Sequence, residues 1–265
     1  MIAPRWKRIL KLGGIAAVVI VIYAVLFGVQ TMFAVSARYM YWHDPAVWEV
    51  PVEMTDASIS KSPGKRLSYL GYEFEVPWDD LDEQKTKPVG PWQVITFHSG
   101  KGIVLMTFPA KERVNTFSGL GQKLDSKDAK KVRFLYGDET LRSDYAFTRA
   151  CLEATPDKVT LFSTPNEALR RTMLLFLKMI AVPTTEAKSG IFFIQTPNFR
   201  GFQFGDPKSH PSAITDELFS DNGSVKITFT HCDKCDNCDK KNKETAIAIS
   251  QAEINRVIQT LRIAH

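Results

Sequence analysis

Apolar and polar positions change rhythm along this chain, and the changes divide it. From Leu12 to Val35 no residue is charged, and Ile, Val, Leu, Ala, Phe and Gly dominate. At about 1.5 Å per helical residue that run reaches roughly 36 Å, enough for a bilayer core, so it predicts a transmembrane helix over 12–35. Residues 36–66 hold Pro45, Pro51 and Pro63 with no sustained period and predict a tether. Residues 67–265 then show the shorter periods of a folded domain.

Tyr72, Phe74 and Val76 alternate with Glu73 and Glu75, which predicts a half-buried strand over 69–76. Residues 92–98 and 102–108 are rich in β-branched and aromatic side chains, and Ser99, Gly100, Lys101 and Gly102 between them supply a hairpin turn. Further strands are expected at 132–136, 158–162, 190–196, 199–204, 224–231 and 245–249, with a polar loop from Lys208 to Gly223. Helical signals fall between them. Asp138 is placed to cap a helix to about Ala154 with Leu141, Tyr145, Thr148 and Leu152 on one stripe, and Cys151 beside that stripe is expected to be buried. Thr164-Pro165-Asn166-Glu167 forms a capping box with proline at the first helical position, opening a helix to Val182 whose second half is apolar almost all round. Ser250-Gln251-Ala252-Glu253 is a second box, ahead of Ile254, Val257, Ile258 and Leu261.

The fold class expected is therefore α+β: an N-terminal transmembrane helix, then one domain with a mainly antiparallel sheet packed by helices. Its opening strand ending in Val76-Pro77-Trp78, its middle helix, its late hairpin and its final amphipathic helix resemble the PsbP/Mog1-type α/β/α sandwich over about Tyr69 to Ile263. That resemblance implies a non-enzymatic assembly or binding role with a protein partner. The N-terminal apolar run and a cysteine-bearing hairpin tip depart from the family pattern.

Charge places the chain relative to a membrane. Arg5, Lys7, Arg8 and Lys11 in residues 1–11 make a basic flank without acidic residues, which predicts a cytoplasmic N-terminus, an uncleaved signal-anchor and a single-pass topology. The domain is then extracytoplasmic, periplasmic or extracellular. Five of the 34 basic residues, those four and Arg38, flank the span, and all 29 acidic residues lie beyond it. The remainder is formally neutral despite the overall charge of +5, so no nucleic-acid partner is expected.

Candidate chemistry is confined to one place. His231, Cys232, Cys235 and Cys238 crowd the tip of the late hairpin, and four such side chains are a donor set for tetrahedral zinc. An oxidising compartment favours instead a disulfide between two of the cysteines, in which case no cofactor is expected. A thiol-redox role for Cys232 and Cys235 is the third reading, and it lacks the helix N-terminus that lowers a thiolate pKa. Asp79, Asp80 and Asp82 read as turn-shaping carboxylates, while His43, His98, His210 and His265 stand apart in the sequence. With no phosphate loop, nucleophile elbow or HExxH motif, the function expected is a membrane-anchored binding or assembly-factor domain without a recognisable catalytic site. The alternative is a metal- or thiol-dependent enzyme, or a metal-binding protein, using the cysteine tip.

Overall fold

The computed structural model describes residues 4–41, 44–109, 126–160, 162–181, 189–209, 213–231 and 249–264. Two of the hairpins written in the sequence are present, but the late one expected between 224–231 and 245–249 is corrected: both edges of 223–231 are taken by 213–220 and 101–109, and residues 245–248 lie outside the described residues. β5 (Trp92–Thr96) pairs antiparallel with β6 (Lys101–Pro109), and β7 (Ile191–Gln195) with β8 (Arg200–Phe204). β9 (Ala213–Ser220) and β10 (Gly223–His231) fill the middle of the sheet. With β1 (Val52–Glu53) and β4 (Lys87–Val89) at the ends, the order is β1-β7-β8-β9-β10-β6-β5-β4. All neighbours are antiparallel except β1, which runs parallel to β7. A glycine is required where β8 crosses β9: a Cβ on Gly201 would lie 2.0 Å from the Glu217 carbonyl oxygen.

A smaller sheet has the order β11-β3-β2, built from β2 (Lys65–Tyr69), β3 (Tyr72–Val76) and β11 (Arg262–Ile263). β2 and β3 meet at Leu70 (φ 51°) and Gly71 (φ 78°), the two left-handed positions of a type I′ hairpin. Residues expected as tether thus carry β1 and the start of β2. They also lie along the C-terminal helix α6 (Gln251–Thr260), where Asn255 donates to the carbonyls of Asp56 and Ser58.

The helices are α1 (Pro4–Tyr41), α2 (Pro45–Trp48), α3 (Ser126–Tyr136), α4 (Asp144–Glu153), α5 (Pro165–Ala181) and α6. Three local expectations change. The stretch expected as a strand at 132–136 is the end of α3, because Val132, Leu135 and Tyr136 share a helical stripe that packs on a helical core. The expected strand at 158–162 is absent from the described residues there, and Pro156 opens a 3-10 turn to Lys158 instead. α4 is capped by Ser143, whose hydroxyl accepts from the Ala146 amide, and not by Asp138. The largest change concerns 208–223, which holds β9 in the centre of the sheet and not only a polar loop.

Alternation sends the sheet's side chains to two cores. Leu105, Leu218, Ile227 and Phe229 pack under Ile254, Val257 and Ile258 of α6, while Phe202, Phe204 and Phe219 pack against Leu152 of α4 on the other face. Fully burying one such side chain contributes about 1.5–3 kcal/mol. A third core joins the helices to one another through Ala34, Ala37, Tyr136, Phe147, Cys151 and Leu175.

That third core bears on the transmembrane expectation. Among the described residues no helix is long and apolar enough to cross a membrane. The expected span over 12–35, the membrane contact through it, the signal-anchor, the single-pass topology and the external placement derived from it are corrected accordingly. The physical reason lies in the C-terminal turns of α1, which the domain uses for its own packing. Ala34 and Ala37 are buried in the helical core, Gln30 is buried beside them, and Thr31 bonds to the Phe27 carbonyl and the Tyr23 hydroxyl. The α+β part of the expectation stands in the element order.

Candidate functional site

Cys232, Cys235 and Cys238 lie outside the described residues. His231 is the last residue of β10, in register with Lys101 of β6. The chain is described again from Ile249, and both ends of the intervening stretch meet one buried ion pair. Glu253 Oε1 accepts from Lys101 Nζ and from Trp78 Nε1, each at 2.7 Å, and Oε2 accepts from the Ser250 amide at 2.8 Å. Lys101 Nζ also lies 4.8 Å from the centre of the Trp78 ring. Burial acts to raise the Glu253 pKa, yet the bonds from Lys101, Ser250 and Trp78 outweigh it and leave the carboxyl below its ordinary range. This cluster closes the reciprocal capping box of α6 and fixes its start beside the end of β10. Every one of its charges is answered, which marks it as a fastening.

Cys151 is buried among the helices. Burial pushes its thiol up to about 12, with Lys178 pulling the other way, so it is held as an unreactive thiol at neutral pH. The carboxylates after Trp78 shape a turn: Asp80 Oδ2 accepts from the Ser99 amide at 2.6 Å and Asp82 Oδ1 from the Lys85 amide at 3.1 Å. Among the described residues no group of three or more His, Cys, Asp or Glu side chains is placed to hold a metal ion.

A cleft that the sequence did not announce lies at the rim of the main sheet. It has a volume of about 400 Å³ and lies between the start of α4, the β7–β8 turn and the β9–β10 turn. Arg200 opens β8 and faces α4, where its guanidinium sits 4.5 Å from the ring centre of Tyr145. Tyr145 in turn stacks on Phe202 at 5.3 Å and meets Phe219 edge-on at 6.0 Å, so the cation rests on an aromatic platform fixed from beneath. Asp144 and Asp221 line the same cleft.

Arg200 differs from most arginines of the domain. Arg66, Arg142, Arg149, Arg171, Arg256 and Arg262 each pair with a glutamate. Arg133 pairs with Asp138, and Arg170, which also lacks a carboxylate among the described residues, donates to the Phe134 carbonyl. Among the described residues Arg200 has no carboxylate partner, and its contact is the face of Tyr145. Cation–π contact orients the guanidinium and uses none of its N–H donors, which remain in the fork geometry that fits a carboxylate. A signal for this site existed only as separate letters, Tyr145 and Arg200, far apart in the chain. Comparison of the chain with protein-family models, with curated proteins and with solved structures found no match.

Proposed function

We propose that this protein is a binding or assembly domain that recognises a protein partner through the rim cleft, with Arg200 taking an acidic side chain of that partner. The observation that carries the reading is the guanidinium of Arg200, pre-oriented on Tyr145 and unpaired by any described carboxylate. Asp221, at the β9–β10 turn that lines the cleft, is placed for a neighbouring basic residue of the same segment. The resemblance to sandwich domains that act as assembly partners points the same way. Such a cleft needs no reacting group, only a fixed pattern of charge.

A blocked Glu-Lys dipeptide serves as probe in an NMR titration of the intact protein. Shifts should concentrate on the amides of residues 143–145, 195–200 and 219–221. Arg200→Ala should remove them, and Arg200→Lys should weaken them, because lysine keeps the charge without the fork. Shifts that survive Arg200→Ala, or none in the native chain, would refute the reading.

A further inference from the structure

We propose that Asp216 makes the docking of α6 on the main sheet a pH-sensitive latch, closed while its carboxyl is protonated and opened by its ionisation. Asp216 stands in the middle of β9, in register with Gln203 of β8 on one side and Ile227 of β10 on the other. Its side chain shares a sheet face with Leu218 and Ile214, which pack in the core beneath α6. It is 0 % exposed, and neither carboxyl oxygen has a hydrogen-bond partner.

The donors nearby are all in use. Gln203 Nε2 donates to the Gly205 carbonyl and to Gln251 Oε1. Gln251 Nε2 donates to Gln203 Oε1 and Asn255 Oδ1, and Asn255 Nδ2 to the carbonyls of Asp56 and Ser58. Each side-chain amide has two N–H bonds, so this polar seam between sheet and helix has none left for a carboxylate.

No described charge compensates it either. β8 presents neutral Gln203, while β10 and β6 present Ile227 and Leu105 in the same row. From α6 the seam receives the neutral amides of Gln251 and Asn255. The charged residues of that helix are engaged elsewhere, Glu253 with Lys101 and Trp78, Arg256 with Glu75 and the Ser60 carbonyl. Burial alone therefore holds the Asp216 carboxyl well above its usual range.

An ionised carboxylate in this position has to regain water. β9 is bonded to strands on both sides, whereas α6 is a ten-residue helix lying over the seam, so the helix is the element that can move. Opening it would bare Leu218, Val225, Ile227 and Phe229, an apolar face concealed in the closed form. The direction follows from linkage: the folded value lies above the unfolded one. Below the unfolded value the two states hold the proton equally. As pH rises beyond it, the open form ionises first and the closed form loses ground, by at most tenfold per pH unit for one proton, until the folded value is reached.

Hydrogen exchange of the intact protein at pH 5, 6, 7 and 8, corrected for the intrinsic pH dependence, tests the latch on the amides of Ile254 to Thr260. In the native chain their protection should fall by up to tenfold per unit, ahead of the β9 and β10 amides. In Asp216→Asn it should be flat. Equal slopes in the two proteins, or helix and strands opening together, would overturn the proposal. Carbon NMR of the Asp216 carboxyl in the native chain supplies a readout that needs no variant. Ionisation without loss of α6 protection would overturn the latch as well.

Discussion

Lys178 and Asp216 are buried side chains on opposite sides of one sheet, and the fold treats them in opposite ways. Lys178 of α5 is 1 % exposed, and its ammonium shares three N–H bonds among the carbonyls of Val47, Glu49, Leu152 and Ala154, at 2.6–3.0 Å. Leu152 and Ala154 lie at the end of α4, and Val47 and Glu49 at the end of α2, where helical carbonyls lack partners of their own. One cation thus answers the orphan groups of two helix ends and ties the segment after α1 to α4 and α5. Burial lowers its pKa to about 8, with Lys158 adding repulsion. Asp216 suffers the same loss of water and receives nothing in return. Burial alone does not tell whether a polar group supports a fold or strains it; its hydrogen-bond partners do.

The largest effect expected from this contrast is the loss of Lys178. Lys178→Met keeps most of the apolar stem and leaves four carbonyl oxygens without their donor. At about 1–3 kcal/mol per stranded group, with water recovering part, the loss should come to about 3–5 kcal/mol. Urea unfolding of the intact protein measures it as a fall in the midpoint at unchanged slope. A change below about 1 kcal/mol would mean that the four carbonyls find other donors, and the contrast with Asp216 would fail.

Asp216→Val should move stability the other way. A β-branched apolar residue suits a central strand, and removing the unpartnered carboxyl should stabilise the protein by about 1–3 kcal/mol at pH 7. The gain should shrink as pH falls toward the unfolded carboxyl value, where the native residue is protonated in both states. A loss at pH 7 would show that Asp216 has a compensating interaction.

The same two residues explain what the sequence disclosed and what it hid. Residues 191–195 and 199–204 are rich in aromatic and β-branched side chains and 224–230 alternate, and those strands are where the pattern puts them. Ala213–Ser220 reads as a polar loop because Thr215, Asp216 and Glu217 interrupt its apolar residues, yet the structure buries Thr215 and Asp216 in a central strand. A buried charge breaks the periodicity on which strand recognition rests. The apolar second half of α5 did announce burial, and Leu174, Leu175 and Leu177 are buried there. Nothing in it announced that Lys178 would be buried too, since its acceptors come from segments distant in the chain. The rim cleft was illegible for the same reason: Arg200 meets Tyr145 only after the sheet and α4 are assembled.

The smallest effects belong to the caps of the two helices concerned, and they sharpen the comparison because one helix carries Lys178 and the other covers Asp216. Both boxes are legible in the sequence, and only one is complete. Ser250 accepts from the Glu253 amide while Glu253 reaches back to the Ser250 amide. Thr164 accepts from the Glu167 amide at 3.3 Å, but the Glu167 carboxylate pairs with Arg171 one turn on. Ser250→Ala should therefore cost about 1 kcal/mol and Thr164→Ala about 0.5 kcal/mol in the same urea titration. Their local consequences differ more than their sizes. Ser250→Ala should increase exchange of the α6 amides at every pH while preserving its dependence on pH, since Asp216 is untouched. Thr164→Ala should leave α6 exchange unchanged, because α5 lies in the helical core on the far side of the sheet. A Thr164→Ala protein whose α6 loosened as much as in Ser250→Ala would show that the two faces open as one unit, and that buried Lys178 and buried Asp216 are not independent.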